Sequence, residues 1–334
     1  MRPVLTLAHS PDPDDAFMWW PITGKVDAGE VIPGGEGALP RVVAPPAIDT
    51  GRFEYRALPA DIEALNRRAA ARGDLDITAL SFRAWAEVQD RYVLTACGSS
   101  FGDGFGPKVV ARVDQRGDAV TIGCDACLRN PKARIAIPGR RTTAFLVLGM
   151  ALGEKAMADS SRFVEMPFDR VIPAVASRQV EAGLVIHEGQ VLFERAGLGQ
   201  VLDLGAWWKH KTGLPLPLGA NAIRRDVESR FGAGSLGEIA RTLRASIGHA
   251  LAHRRESLEY TLPFALGNTL RAGGAPAGTG PAPQLDEVDR YVRMYVNAWT
   301  LDMGQAGRDA VGRLLGDGAA LGLCPDAGQI QVVG

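Results

Sequence analysis

Arg134-Ile-Ala-Ile-Pro-Gly-Arg-Arg-Thr-Thr143, read on through Phe163-Val-Glu-Met166 to Ala182-Gly-Leu-Val-Ile-His-Glu188, decides the fold class. Residues 134–137 form a short apolar run stopped by Pro138-Gly139, and Thr142 then opens a helix running to about residue 156. A second short run at 163–166, a helix around 170–177 and a third run at 182–186 repeat the pattern. Strands of this length alternating with helices predict an α/β layer built on parallel strands.

The same rhythm extends outward. Residues 4–8 read as a strand, 10–15 as a turn and 16–20 as the start of a helix, while 53–58 and 62–71 read as strand and helix. Residues 76–80 form another strand ended by Ser81, whose hydroxyl is placed to cap a helix over 82–89. Residues 93–97 are extended, Phe101-Gly-Asp-Gly-Phe-Gly-Pro107 turns the chain, and 108–112 extends again as a first crossing between lobes. After 201–204, the Pro-rich stretch 207–219 is too rigid to be helical throughout and serves as the return crossing. Ile239, Ala240, Leu243, Ile247, Ala250 and Leu251 recur at spacings of three and four and mark an amphipathic helix. Two more helices, over 285–299 and 306–315, close the chain. Residues 29–51 and 113–132 read as insertions, and 272–283 as a Gly/Pro/Ala linker. No repeat of solenoid length is present.

A chain of 334 residues exceeds one ordinary core, which predicts two lobes. Lys plus Arg total 37 against 38 for Asp plus Glu, so no net field recruits nucleic acid or an anionic membrane, and a small-molecule partner fits better. No run approaches the roughly 18 apolar residues of a membrane span. The apolar run after Met1 is too short for an export signal and meets acids at once, so the expectation is a cytoplasmic protein.

In an open parallel sheet, ligands sit beyond the carboxyl ends of the strands, where helix N-termini offer unpaired N–H groups. Four such ends carry chemistry: Ser10 to Asp15, Leu80-Ser81, Arg140-Arg141-Thr142-Thr143, and His187-Glu188. At the third, a helix N-terminus, two hydroxyls and two guanidiniums suit a carboxylate. At the first, Asp12, Asp14 and Asp15 already complement the helix dipole, which favours a neutral hydroxylated group near Ser10. Helix capping alone also accounts for Ser, Thr and Asp at these positions. His187 follows an apolar strand directly, and its ordinary pKa near 6.5 suits proton transfer. A hydrogen-bonded structural histidine is the bland alternative. Glu188 is a candidate to orient the ring, although adjacent residues on an extended chain face opposite ways.

Other features carry less. Cys124-x-x-Cys127 lacks a second pair or a nearby histidine, so a zinc site is not expected. His249 and His253 have i,i+4 spacing without a third ligand, and the glycines of 101–106 lack the strand-turn-helix setting of a dinucleotide fingerprint. Trp207-Trp208 reads as packing near the cleft.

Taken in order, Ser10-Pro-Asp-Pro-Asp-Asp-Ala-Phe17, Asp61-Ile-Glu-Ala-Leu-Asn-Arg67, Leu80-Ser-Phe82, Gly104-Phe-Gly-Pro107, Pro138-Gly-Arg-Arg-Thr-Thr-Ala144, Glu181-Ala-Gly-Leu-Val-Ile-His-Glu188, Asp203-Leu-Gly-Ala-Trp-Trp-Lys209, Thr212-Gly-Leu-Pro-Leu-Pro-Leu-Gly219 and Tyr295-Val-Asn-Ala-Trp299 resemble the menaquinone-biosynthesis enzymes of the futalosine route. The resemblance is closest to the 1,4-dihydroxy-6-naphthoate synthases, with the chorismate dehydratases sharing the fold.

The resemblance implies a two-lobed fold like the type II periplasmic binding proteins, with 1–110 and 220–334 in one lobe and 111–219 in the other. It implies conversion of cyclic de-hypoxanthine futalosine to 1,4-dihydroxy-6-naphthoate by base-initiated elimination, a lyase-type reaction needing no metal and no cofactor. His187 takes the place of the family's proton acceptor, and Ala79, Leu80, Ser81, Thr142, Thr143 and Ala144 fall on its substrate-binding stretches, with Ser10 nearby. The family's first motif reads Ser-Pro-Cys-Pro-Asn-Asp-Thr-Phe, so Asp12, Asp14 and Ala16 depart from it. The rival reading is a non-catalytic binding or sensing protein that uses the same clamshell for a small carboxylate.

Overall fold

A computed structural model describes residues 2–31, 39–113, 128, 130, 132–271 and 284–334. The Cys124/Cys127 pair, the expected linker 272–283 and most of the expected insertion 113–132 lie outside these residues. In chain order the strands are β1 (Val4–His9), β2 (Lys25–Val26), β3 (Val42–Ala44), β4 (Glu54–Pro59), β5 (Ile77–Ser81), β6 (Tyr92–Thr95), β7 (Ser100–Gly102), β8 (Lys108–Arg112), β9 (Ile135–Ile137), β10 (Phe163–Glu165), β11 (Ala182–Val185), β12 (Leu198–Asp203), β13 (Leu216–Arg224) and β14 (Val332–Val333).

Two sheets divide these strands. One has the order β14-β6-β13-β5-β1-β4, with β7 also on β13, and draws on both ends of the chain. The other, β10-β9-β11-β8-β12, comes entirely from the middle. In the first, β1 is parallel to β4 and β5, and in the second β9 is parallel to β10 and β11, which produces the strand-helix alternation of the sequence. The returning strands β8 and β13 run antiparallel to their neighbours. Every residue of β5 and β11 is buried, as expected of strands covered on both faces.

The chain passes between the sheets twice, at 102–108 and 203–216, and the passages touch backbone to backbone. A Cβ on Gly205 would sit 1.9 Å from the Phe105 carbonyl carbon, and one on Gly106 would sit 2.9 Å from the Gly205 Cα, so only glycine permits this approach. One buried apolar cluster joins the sheets, running from Trp85 and Phe101 through Leu146 and Leu314 to Trp208. A second, around Phe17, Trp19, Phe53 and Leu243, sits under the helices Pro13–Thr23 and Ser235–Ala252.

Several local expectations need correction. Part of 29–51 is not loop, because β3 pairs with β2 as a small antiparallel ribbon. The helix expected over 142–156 is interrupted at Gly153 and becomes Thr143–Leu152 and Glu154–Met157. The return crossing, as expected, is not helical throughout: it is helical over Leu204–Thr212 and extended from Leu216, and Trp208 is buried there with its indole N–H donated to the Pro215 carbonyl (3.1 Å). The helix expected over 285–299 ends at Tyr295. The helix Arg254–Arg271 was not expected, since its Pro263 and diffuse apolar pattern hide it. Among the described residues no helix is long and apolar enough to cross a membrane.

Candidate active site

The carboxyl ends of β1, β5 and β11 and the N-terminus of the helix Thr143–Leu152 converge on one pocket, whose empty space, counted out to the open solvent at its mouth, is about 690 Å³. Ser10, Ala79, Leu80, Ser81, Thr142, Thr143, Ala144 and His187 all line it, whereas Arg140, Arg141 and Glu188 from the same strand ends do not.

His187 stands immediately beyond β11, between that strand and the short helix Gly189–Leu192. Its φ is +52°, a left-handed conformation that costs a non-glycine residue energy and collects at functional sites. Phe168 packs its ring against the imidazole, edge to face, with centroids 4.7 Å apart. The Nδ1 edge meets the Asp12 carboxylate through Oδ2, and Nε2 lies 3.5 Å from the Ser10 hydroxyl. The carboxylate on the ring is therefore that of Asp12 and not that of the adjacent Glu188.

Asp12 is held by its second oxygen. As N-cap of the helix Pro13–Thr23, its Oδ1 accepts from the Asp15 N–H (3.3 Å). Asp15 in turn accepts from the Ser10 N–H (2.7 Å), and Asp14 from the Tyr291 hydroxyl (3.0 Å). Three acids and an imidazole thus share a buried space, and their charges settle accordingly. Burial by itself would push the His187 imidazole down, but the neighbouring Asp12 charge reverses this and holds it at about 10. Burial would push Asp12 up, yet the imidazolium draws it below the ordinary carboxylate value. Burial and the Asp12 charge push Asp15 up to about 8, and burial with the charges of Asp12 and Asp15 carries Asp14 well above its ordinary value. The ion pair of the cluster is Asp12 with His187, and burial disfavours the charged forms of Asp14 and Asp15 beside it.

Ligand atoms of Asp12, Asp14 and His187 lie within 4.8 Å of one another, a spacing that could admit a cation. The same groups, however, are engaged with one another and with Tyr291, which reads as a hydrogen-bonded proton site.

At the Thr-rich end the structure corrects the carboxylate grip. The Arg140 guanidinium donates to the Ser160 and Phe163 carbonyls, both at 3.0 Å, and Arg141 pairs with Glu87 (2.8 Å). The Arg141 N–H donates to Glu63 (3.1 Å), so acids stand beside this helix start. The Thr142 hydroxyl accepts from the Phe145 N–H (3.1 Å) and donates to the Gly139 carbonyl (2.8 Å), which makes it a helix cap. The Thr143 hydroxyl accepts from the Arg83 N–H (3.3 Å). What this end offers an anion is the helix's first turn of backbone N–H groups, at Thr143 and Ala144. Ser81 occupies the N-cap position of Phe82–Val88 but makes no side-chain cap bond, because its hydroxyl accepts from the Asn66 amide (3.1 Å).

A sequence profile described as menaquinone biosynthesis matches residues 5–320. The chain belongs to this family. It is 37% identical over 321 residues to the 1,4-dihydroxy-6-naphthoate synthase of Thermus thermophilus, covering 96% of this chain and 95% of that one. It is 32% identical over 324 residues to the enzyme of the same name from Streptomyces coelicolor, covering 97% and 96%. Among solved structures it is similar to protein AF1704 of Archaeoglobus fulgidus, with 35% identity, a TM-score of 0.70 and coverage of 96% and 98%. The alkanesulfonate-binding protein SsuA of Xanthomonas axonopodis pv. citri, bound to MOPS, is 11% identical with a TM-score of 0.57 and coverage of 99% and 97%. That likeness shows the periplasmic-binding-protein-like fold. The menaquinone-biosynthesis family makes this chain an enzyme acting on a small molecule, so the reading as a non-catalytic sensor falls away.

Tyr291, Tyr295, Gln190 and Asn221, which were not among the candidate residues, also line the pocket. Tyr295 donates to Gln190 (2.6 Å), and Tyr291 to Asp14. The tyrosines lie on the helix Leu285–Tyr295, which the sequence marks only as one of two closing helices. Tyr295 opens one of the stretches that carry the resemblance, whereas no local signal marks Tyr291.

Proposed function

We propose that this protein is a 1,4-dihydroxy-6-naphthoate synthase that takes cyclic de-hypoxanthine futalosine and acts as a lyase. The observation that carries the reading is His187, held in a left-handed turn with Nε2 directed toward the cavity on the Ser10 side. The names of the two bacterial relatives supply the product, 1,4-dihydroxy-6-naphthoate, and the family resemblance supplies the substrate.

In this reading the neutral imidazole removes a carbon-bound proton through Nε2. The C–H electron pair moves into the forming ring system, the sugar-derived portion leaves, and aromatisation of the naphthalene supplies much of the driving force. The protein's task is placement of one base and one anion. The substrate carboxylate sits at the N-terminus of Thr143–Leu152, against the N–H groups of Thr143 and Ala144, where the helix dipole favours negative charge. Ala79, Leu80 and Ser81 provide the opposing wall. Since Asp12 keeps the resting imidazole protonated, turnover rises with pH as His187 loses that proton.

The test is incubation of the purified protein with cyclic de-hypoxanthine futalosine and detection of the naphthoate by mass spectrometry. Product formation supports the assignment. No product under conditions where the Thermus thermophilus enzyme converts the same material refutes it.

A further inference from the structure

Asp12 is one of the departures from the resemblance, and the fold places it between its own helix and His187. We infer that Asp12 is a positioning residue for His187: its carboxylate binds the hydrogen on Nδ1 and thereby fixes Nε2 as the nitrogen presented to the substrate. The inference rests on the reading of His187 as proton acceptor.

The argument begins with the carboxylate itself. Asp12 is only 2% exposed, and its two oxygens have separate duties, Oδ1 on the Asp15 N–H and Oδ2 on His187. The cap bond fixes the plane of the carboxylate, and the carboxylate then fixes the ring. On the other side the imidazole is confined by Phe168 and by its own left-handed backbone. A ring so held presents its other nitrogen, Nε2, to the Ser10 hydroxyl at the cavity wall. A carboxylate on Nδ1 also stabilises the imidazolium that forms when Nε2 takes up a proton.

The contact has a second property. Asp12 follows β1 of one sheet, whereas His187 follows β11 of the other, so the pair spans the cleft. The ring is oriented only while the two sides are together, which ties readiness for proton transfer to closure.

Other charged groups face the ring without holding it. Asp14 lies on the same helix as Asp15, Asp61 approaches from the start of the helix Ile62–Ala71, and Glu188 belongs to the histidine's own turn. Of these acids, Asp12 is the one in direct ion-pair contact with Nδ1.

The experiment compares wild type with Asp12→Asn and Asp12→Ser. Both replacements can still cap the helix, so the fold is retained, and thermal melting verifies this. Asn is isosteric but uncharged, and Ser is too short to reach Nδ1. Two readouts are taken: kcat and KM against pH with cyclic de-hypoxanthine futalosine, and the titration of the His187 imidazole by NMR in the protein alone. In both variants the acidic limb of kcat moves down by about one pH unit or more, toward the ordinary imidazole value. The alkaline plateau of kcat falls about tenfold or more, while KM stays within about threefold. The NMR midpoint of His187 moves down in parallel. Folded variants with the wild-type limb, plateau and His187 titration overturn the inference. Failure of wild type to turn over the substrate refutes the functional reading instead, and the NMR comparison still decides whether Asp12 controls the ring.

Discussion

Gly183→Ala perturbs the strand that delivers His187 without touching the cavity, and its magnitude follows from the packing. Gly183 lies in β11 under the helix Phe168–Ala176, and a Cβ there would come within 2.6 Å of Val171 Cγ1 and 2.8 Å of Val175 Cγ2. Ordinary carbon contacts lie at roughly 3.5–4.0 Å, so strand and helix must separate by several tenths of an ångström or the valines must leave their rotamers. Overpacking of this kind costs about 1–3 kcal/mol. The helix also carries Phe168, which confines the His187 ring, so kcat falls together with stability. Val171→Ala removes the closer methyl. Combined with Gly183→Ala it therefore gives a double variant more stable than the sum of the single effects, by about 0.5 kcal/mol or more. The assay is thermal and urea unfolding of the four proteins, followed by kcat at one pH. A Gly183→Ala protein as stable and active as wild type, or strict additivity with Val171→Ala, refutes this account of how β11 is seated.

The buried acids predict a pH dependence of stability. His187 at about 10 and Asp15 at about 8 both lie above their unfolded values, so the folded protein binds their protons more tightly. The His187 contribution is complete below about 6.5 and is lost as pH rises through about 10; that of Asp15 is lost through about 8. The melting temperature should fall across this alkaline window, and a rise there contradicts the assignment. Asp12 runs the other way, contributing above about 3.8 and losing its contribution as pH falls through its lower folded value. Because the guanidiniums of Arg140 and Arg141 are committed to Phe163 and Glu87, Arg140→Gln and Arg141→Gln each leave KM within about fivefold, whereas a larger rise would return them to the substrate. Because Asp12, Asp14 and His187 satisfy one another and Tyr291, chelator treatment leaves turnover unchanged; activity lost to a chelator and restored by a divalent cation would make them a metal site.

Much of the frame was legible because it is local. Short apolar runs ended by Pro138-Gly139 or by Ser81 are strands for reasons confined to a few residues, and β5, β9 and β11 lie where those runs lie. The position of His187 at a strand end was legible for the same reason, since the carboxyl ends of parallel strands meet at a cleft. What stayed hidden depends on residues distant in sequence. Asp14 meets Tyr291 from 277 positions away, and Asp12 reaches His187 across the two sheets. Its acid character suggested a dipole complement, which its cap bond bears out, but not an ion pair. Arg140 and Arg141 show the reverse limit: residue type suggested an anion site, whereas their direction was set by Phe163 and Glu87, which no local pattern relates to them.

The central claim is that His187 is the base, and the most direct measurement is single-turnover conversion of cyclic de-hypoxanthine futalosine by wild type and His187→Ala, with substrate binding measured in parallel. The account predicts naphthoate from wild type, a fall in rate of about 10²–10⁴ in the variant and retained binding. A folded His187→Ala protein that forms the naphthoate at the wild-type rate would contradict it.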